Sequence, residues 1–563
     1  MLLSKTSELQ INPWILMLAY CVLVGPFALD FHMHYPDEIY YRDAAVKMLQ
    51  NGDYLTTYLG SGELRFKKPI LTYWAVLAGF KLFGVNEFGS RIFFLLAGAS
   101  TVGLTFLLAK TLFQDKKLAG LSALIMAANP VLILSSGRSI PDVMLVLTMT
   151  MSAIGFAGLL RDGEKTHQKY LWLMYLGLAL AFEVKGLPAV ALGGLGIGIL
   201  LFNPWKRVSL KKLFHVPSLL LSLFIALFWF VAMWKIHGPT YLDSFLEDQV
   251  GIRVASRILL IVQNGFLATL ILVLIFVPWI FLMGKNLKST IQTAWKENPQ
   301  FFVFAVLWGL AILGMGALTS KFYERYLLPV APVLAVWIAW LGVRGGILDR
   351  IRGLKISTAI FLSVVLILVT FSIWINSGEK GTLWLSFQWL LGLVFLTYSM
   401  VTWFRTPQKL PKIIAYSFLM IFFLLSSITY HISLPHQGAQ AKKVIEEAGI
   451  SQPIGFFGNL HVGTKIRMSL GPEYDLIDLP RESWQQRARD YEYLILEDKL
   501  LEEFDSTNYE VELLSRNWQS RAISKLLAAY HSSDFDQLLE EHSKKYYLLR
   551  KKITPEIKSG VDL

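Results

Sequence analysis

A single cysteine, Cys21, occurs among 563 residues, so no disulfide can form within the chain. It falls inside the first apolar run, where a small buried thiol is its ordinary role. Charge is also scarce. Asp, Glu, Lys and Arg make up 17% of the chain, against about 25% in an average soluble domain. After Ser433 the chain holds no Gly-rich phosphate loop and no metal-ligand cluster. His32 and His34 stand two residues apart, but no third ligand follows at a recognisable spacing. No internal repeat stands out, which weighs against many transporter folds.

Apolar residues are what the chain has in quantity: 54% are hydrophobic and the mean hydropathy is +0.48. The 17 Trp and 22 Tyr suit the aromatic belts of a bilayer. A net charge of +12 in a soluble protein would point to nucleic acid. Here basic membrane loops account for it, so membrane lipids are expected as partners and nucleic acid is not. Runs long enough to span a bilayer, about 17–25 residues each, fall near 12–31, 88–112, 118–136, 140–160, 169–184, 187–203, 214–235, 264–284, 300–318, 326–343, 356–376, 383–404 and 412–431. The expectation is an all-α polytopic domain of about thirteen transmembrane helices over residues 1–432. Lys5 precedes the first run without an A-x-A-like site, which reads as an uncleaved anchor.

Alternate loops are basic. Lys116 and Lys117, Arg161 and Lys165, Lys211 and Lys212, Lys285 and Lys288, Arg350 and Arg352, and Arg405 and Lys409 mark the cytoplasmic side. Residues 32–87 and everything after about Ser433 then lie outside. From Ser433 the composition changes. Gln437–Ala448 and Ser524–Glu541 read as helices, and Pro453–Phe457, Tyr491–Leu496 and Tyr546–Leu549 as short strands. This alternation predicts a small extracytoplasmic α/β domain over 433–563, to which no catalysis is assigned.

The chemistry-bearing residues gather on the outer side. His34-Tyr35-Pro36-Asp37-Glu38-Ile39-Tyr40-Tyr41-Arg42 follows the first span. Pro36 suits a first helical turn, Asn51-Gly52 stops the helix, and Asp37 and Glu38 sit at the positive end of its dipole. First-turn acids are common on surface helices; what sets this pair apart is its place at a membrane boundary, where a carboxylate needs water, a cation or a substrate. Phe66-Lys67-Lys68-Pro69 precedes an apolar helix, Leu71–Phe83, that reads as lying along the interface. Its lysines act as snorkelling anchors or as a phosphate clamp; on the outer face, against the positive-inside bias, the clamp is favoured. Asp142 opens the fourth span after Pro141. Glu183 and Lys185 lie within an apolar stretch, where they either neutralise each other or form part of a site. Lys321-Phe322-Tyr323-Glu324-Arg325-Tyr326 opens another span as an interface anchor or as further cationic surface.

Taken in order, these motifs resemble those of the polytopic GT-C glycosyltransferases, in the group of the lipid A 4-amino-4-deoxy-L-arabinose transferases and the protein O-mannosyltransferases. Pro36-Asp37-Glu38 with Tyr40, Phe66-Lys67-Lys68-Pro69-Ile70 with Tyr73-Trp74, Phe83-Gly84, Arg91, Asp142 and Lys185-Gly186 carry the likeness over the first 190 residues, and Lys321 to Pro329 extends it. The resemblance implies a sugar donor on a polyprenyl phosphate and a lipid A, glycan or protein acceptor. It places transfer on the extracytoplasmic face of a bacterial inner membrane. It makes Asp37 the catalytic base or acceptor-orienting carboxylate, with Glu38 and Asp142 beside it. Lys68 becomes the lysine on the lipid phosphate, with Arg253, Lys185, Lys321, Arg325, Tyr326 and Tyr40 around the substrate. A divalent metal ion is the one cofactor the resemblance raises, and Lys67 stands where aminoarabinose transferases carry the glutamate of that metal site. Two other classes compete. A flippase of lipid-linked sugars would also want outer cations and many helices, but not a carboxylate pair opening a long structured loop. A sensor would work through its C-terminal domain.

Overall fold

The computed structural model describes residues 11–30, 35–247, 258–283, 287–346, 350–377, 381–432, 437–518 and 523–552. They fall into two compact units. The first holds residues 1–31, 66–79 and 87–429, and the second residues 32–65, 80–86 and 430–563. The sequence partition at 432/433 kept the 32–87 loop with the membrane domain. The compact units instead group most of that loop with the C-terminal segment.

The first unit is helical. Among the described residues eight helices are long and apolar enough to cross a membrane, or nine if the bent pair Lys116–Ala127 and Pro130–Ser136 counts as one span. Asn129 makes the 62° break in that pair. It is a buried N-cap whose side chain accepts from the Val131 and Leu132 amides, and Pro130 follows it at the first helical position. The expected thirteen spans are therefore not reproduced. Pro13–Leu29, Leu187–Phe202 and Ile258–Leu274 are apolar but shorter. The stretch 264–284 divides into Ile258–Leu274 and the short Trp279–Met283. The run 169–203 divides at Gly186, whose φ of 72° suits glycine, into Gln168–Lys185 and Leu187–Phe202.

The second unit is built on a five-stranded sheet: β1 Ile454–Phe457, β2 Leu476–Asp478, β3 Tyr493–Glu497, β4 Tyr509–Trp518 and β5 Ser543–Lys551, in the order β2-β1-β3-β5-β4. β1 runs parallel to β2 and β3, and β5 runs antiparallel to β3 and β4. Alternation along the strands sends side chains to two cores. Phe456, Ile495 and Leu548 pack with Ile445 and Ile466 on one face, while Leu494, Leu496 and Leu549 pack with Trp484 and Phe504 on the other. The helix expected over 524–541 is two short ones, Ile523–Ala528 and Phe535–Glu541, parted by the polar run His531-Ser532-Ser533-Asp534. A 14-residue helix, Glu38–Asn51, completes this unit, and its Gly52 cap has a left-handed φ of 69°.

Candidate active site

The helix that carries the sequence motif starts at Glu38, two residues later than Pro36 led us to expect. Asp37 is its N-cap, but its backbone is already helical (φ −73°, ψ −16°) and its side chain caps no helix amide. Ordinarily an N-cap carboxylate accepts from the first-turn N–H groups. Asp37 is half-buried. Glu38, expected beside it at the reaction centre, is instead fully buried and accepts from Arg42 Nη2 at 3.0 Å. The pairing follows from i,i+4 spacing on one helix face. Tyr40 lies under the Arg65 guanidinium, 3.8 Å from its ring centre.

The same helix is fastened along its length to the α/β sheet unit. Asp43 accepts from Arg467 Nη1 at 2.6 Å and from Thr464 Oγ1 at 2.8 Å. Arg467 Nη2 also donates to Asp478 at 2.7 Å. Lys47 Nζ reaches Asp475 at 2.7 Å, and Gln50 donates to the Tyr474 carbonyl. Burial raises the Asp43 carboxyl to about 6; Arg467 opposes the rise and Asp478 adds to it. Burial and Lys465 push the His461 imidazole down, while Glu38 and Asp37 of the motif helix pull it up. Sequence reasoning missed this network. Asp43 and Arg467 are 424 residues apart, and the only local signal was an acid, Asp43, directly after the motif.

In the helical unit, Asp142 gathers two cations. Lys185 Nζ donates to its Oδ1 at 2.6 Å, and Arg325 Nε lies 3.0 Å from its Oδ2. Each comes from the end of a different element: Asp142 at the start of Pro141–Asp162, Lys185 at the end of Gln168–Lys185, and Arg325 in the 3-10 turn Glu324–Val330. Pro141 at the first helical position and Gly186 after the last fix two of those termini. The Lys185 ammonium sits 4.6 Å from the centre of the Tyr326 ring, and Arg325 stacks 4.0 Å from that of Tyr323. Arg138 and Glu324 add a flanking pair at 3.5 Å. Lys185, Arg325 and Tyr326 form the polar side of a cavity of about 250 Å³ whose remaining wall is apolar, with Leu145, Leu187 and Ile312 in it. Two cations and one carboxylate therefore stand beside an apolar pocket. That suits an anionic head group with a hydrocarbon tail.

Lys68 is buried and Lys67 exposed in the same unit. Phe66 holds their segment in place through ring contacts to His237 at 4.9 Å and Tyr241 at 5.3 Å. Arg91 donates to the Ala28 carbonyl, tying Glu87–Phe113 to Pro13–Asp30. Lys321 is exposed, 5.3 Å from the centre of the Tyr323 ring. Arg253 lies outside the described residues, as do His32 and His34. Among the described residues no three His, Cys, Asp or Glu side chains converge as metal ligands.

Residues 18–242 match the family of dolichyl-phosphate-mannose-protein mannosyltransferases. An uncharacterized protein of Aquifex aeolicus is 28% identical over 397 residues, 70% of this chain and 73% of that one. An undecaprenyl phosphate-alpha-4-amino-4-deoxy-L-arabinose arabinosyl transferase of Pseudomonas fluorescens is 26% identical over 362 residues, 62% of this chain and 59% of that one. The chain thus spans little more than half the length of that transferase. The crystal structure of ArnT from Cupriavidus metallidurans bound to undecaprenyl phosphate superposes with a TM-score of 0.69 at 15% identity, covering 95% of this chain and 97% of that one. This likeness establishes the fold. The chain is similar in sequence to the lipid A arabinose transferases and the protein mannosyltransferases, and it shares the fold of the former.

Proposed function

We propose that the chain transfers a sugar from a polyprenyl phosphate to an envelope acceptor on the extracytoplasmic face of a bacterial inner membrane. The observation that carries this reading is the Lys185–Asp142–Arg325 cluster at the mouth of an apolar cavity. In this reading the first prenyl units lie against Leu145, Leu187 and Ile312, and the phosphate meets Lys185, Arg325 and the Tyr326 side. Asp142 holds the two cations at fixed separation and does not touch the sugar.

The chemistry then follows from charge. The bond between the sugar's anomeric carbon and the phosphate oxygen breaks, and the departing phosphate gains negative charge. Cations preorganised at that oxygen stabilise the transition state more than the ground state. An acceptor hydroxyl forms the new bond to the anomeric carbon and gives its proton to a carboxylate base, the role assigned to Asp37 at the head of the motif helix. Lys68 and Arg253 are assigned as further phosphate contacts and Lys321 as an outer attracting charge. The acceptor's class, whether lipid A, glycan or protein, is not fixed by this pocket.

The test is to identify by mass spectrometry the lipid that co-purifies with the protein, then reconstitute the protein with it in liposomes. Sugar appearing on an acceptor with release of polyprenyl phosphate supports transfer. Movement of intact lipid-linked sugar across the bilayer, with none consumed, would overturn it in favour of a flippase.

A further inference from the structure

The α/β sheet unit holds a cleft of about 1030 Å³ that the cation pocket does not account for. Its position follows from the strand order. β1 and β3 are parallel neighbours, and the segments leaving their carboxyl ends go to opposite faces of the sheet. Leu460–Leu470, after β1, packs with Phe456 and Ile495 on one face. Leu500 and Leu501, after β3, pack with Leu494 and Leu496 on the other. A crevice opens where two such connections part, and open α/β sheets take their ligands there. Gly458 and Asn459 beyond β1 and Lys499 beyond β3 line this cleft, so it occupies that crevice. Ile39, Tyr40 and Asp43 of the motif helix line it too.

Its lining indicates the ligand. Glu63, Glu482, Glu497 and Glu503 stand against Arg481 and Lys499, an acidic surface on a chain whose net charge is +12. Carboxylates accept hydrogen bonds from hydroxyl and ammonium groups, and they repel phosphates and uronates. Phe457 and Trp484, stacked with ring centres 4.5 Å apart, also line it; Trp484 is buried in the sheet core, and the half-buried Phe457 adds apolar surface to the wall. The volume is at the top of the range for small-molecule sites, roughly 300–1,000 Å³, and has room for several sugar rings.

We infer that this cleft binds an oligosaccharide, neutral or amine-bearing, which presents the acceptor hydroxyl along the helix that begins at Asp37. The assignment of that glycan as acceptor rests on the transfer reading above; the binding itself does not. Binding is therefore measured on the full-length protein in detergent without any lipid-linked donor. The probes are a glucosamine tetrasaccharide, maltotetraose and tetragalacturonate, followed by tryptophan fluorescence and calorimetry.

The expected order is glucosamine tetramer tightest, maltotetraose weaker, and tetragalacturonate absent. Affinity for the amine-bearing probe should fall with added salt. Glu482 and Glu503 are both exposed, so E482K/E503K should leave the melting temperature unchanged and weaken the amine-bearing probe by about tenfold or more. Tetragalacturonate binding as well as the glucosamine tetramer, or no binding of either uncharged or amine-bearing probe to the wild type, overturns the site. So does unchanged affinity in E482K/E503K. Binding without subsequent transfer to the bound glycan would leave the cleft standing and overturn its acceptor role.

Discussion

Lys185 Nζ lies 2.6 Å from Asp142 Oδ1, joining the end of one helix to the start of another 43 residues earlier in the chain. Arg325 takes the other carboxylate oxygen at 3.0 Å. A buried carboxylate between two cations has an asymmetric role. Removing one cation leaves a neutral pair, whereas removing the carboxylate leaves two like charges facing each other.

The first prediction follows from that asymmetry. Asp142→Asn should cost stability on the order of 3–5 kcal/mol, the usual penalty for stranding a buried charge. Lys185→Met should cost clearly less, because Arg325–Asp142 remains paired, while still weakening donor binding. Thermal unfolding in detergent alongside donor affinity measures both. Equal destabilisation by the two substitutions would show that Asp142 does not hold the cations in the way proposed.

The second prediction concerns the mirror arrangement around Arg467, where one guanidinium serves Asp43 and Asp478. Arg467→Met strands two carboxylates and should destabilise by about 3–5 kcal/mol; Asp43→Asn should be far milder. A pH dependence accompanies this. Burial, its largest influence, raises the Asp43 carboxyl from 3.8 to about 6. A raised folded-state pKa means the folded form binds the extra proton, so its contribution is complete below about 3.8 and is lost as pH rises through about 6. The full effect is of order 3 kcal/mol. His461, whose imidazole is pushed down by burial and Lys465, acts in the opposite sense, since its contribution is lost as pH falls. The comparison of wild type with Asp43→Asn cancels it. Protection of residues 38–51 from hydrogen exchange should rise in the wild type as pH falls through about 6, and should rise less in Asp43→Asn. An identical pH response in both proteins contradicts the assignment.

The third prediction is steric. A Cβ on Gly60 would fall 2.1 Å from Asp478 Oδ2 and 2.7 Å from Arg467 Nη1. Gly60→Ala should displace that ion-pair network and cost about 1–3 kcal/mol, as overpacking does. A melting temperature equal to wild type would mean the loop gives way without disturbing Arg467.

The fourth prediction is topological. In a Cys21-free background, cysteines at Gly52 and Ser451 should be labelled by an impermeant reagent from outside intact cells, and those at Lys117 and Lys212 only after lysis. Outside labelling at position 117 would invert the orientation and with it the site.

Much of this protein was legible in its sequence because membrane helices and turns announce themselves locally. The stop at Asn51-Gly52, the helix Leu71–Phe83 and the break at Gly186 all stand where glycine and hydropathy put them. β1, β3 and β5 were legible as short apolar runs. β2 has only three residues, and β4 carries Glu510, Glu512 and Arg516 on a sheet edge, so neither shows an apolar signature. The count of thirteen is not matched among the described residues, where the apolar helices Leu187–Phe202 and Ile258–Leu274 are shorter than the full-length spans. The candidate site divides in the same way. Asp142, Lys185 and Arg325 were each visible as ionisable residues at span ends, but their convergence was not. The pairing of Glu38 with Arg42 was not foreseen from the sequence, although the two stand one turn apart. The ties from Asp43 and Lys47 to residues beyond 460 are long-range, and no local pattern encodes them.

The central claim is tested most directly by Asp37→Asn in a reconstituted assay that scores donor binding and sugar transfer separately. The amide is nearly isosteric with the carboxylate but a poor proton acceptor. Donor affinity and melting temperature should stay at wild-type values while turnover falls by about 10²–10⁴-fold. Turnover near wild type in Asp37→Asn would contradict the account, since it would leave the acceptor's proton with no assigned destination.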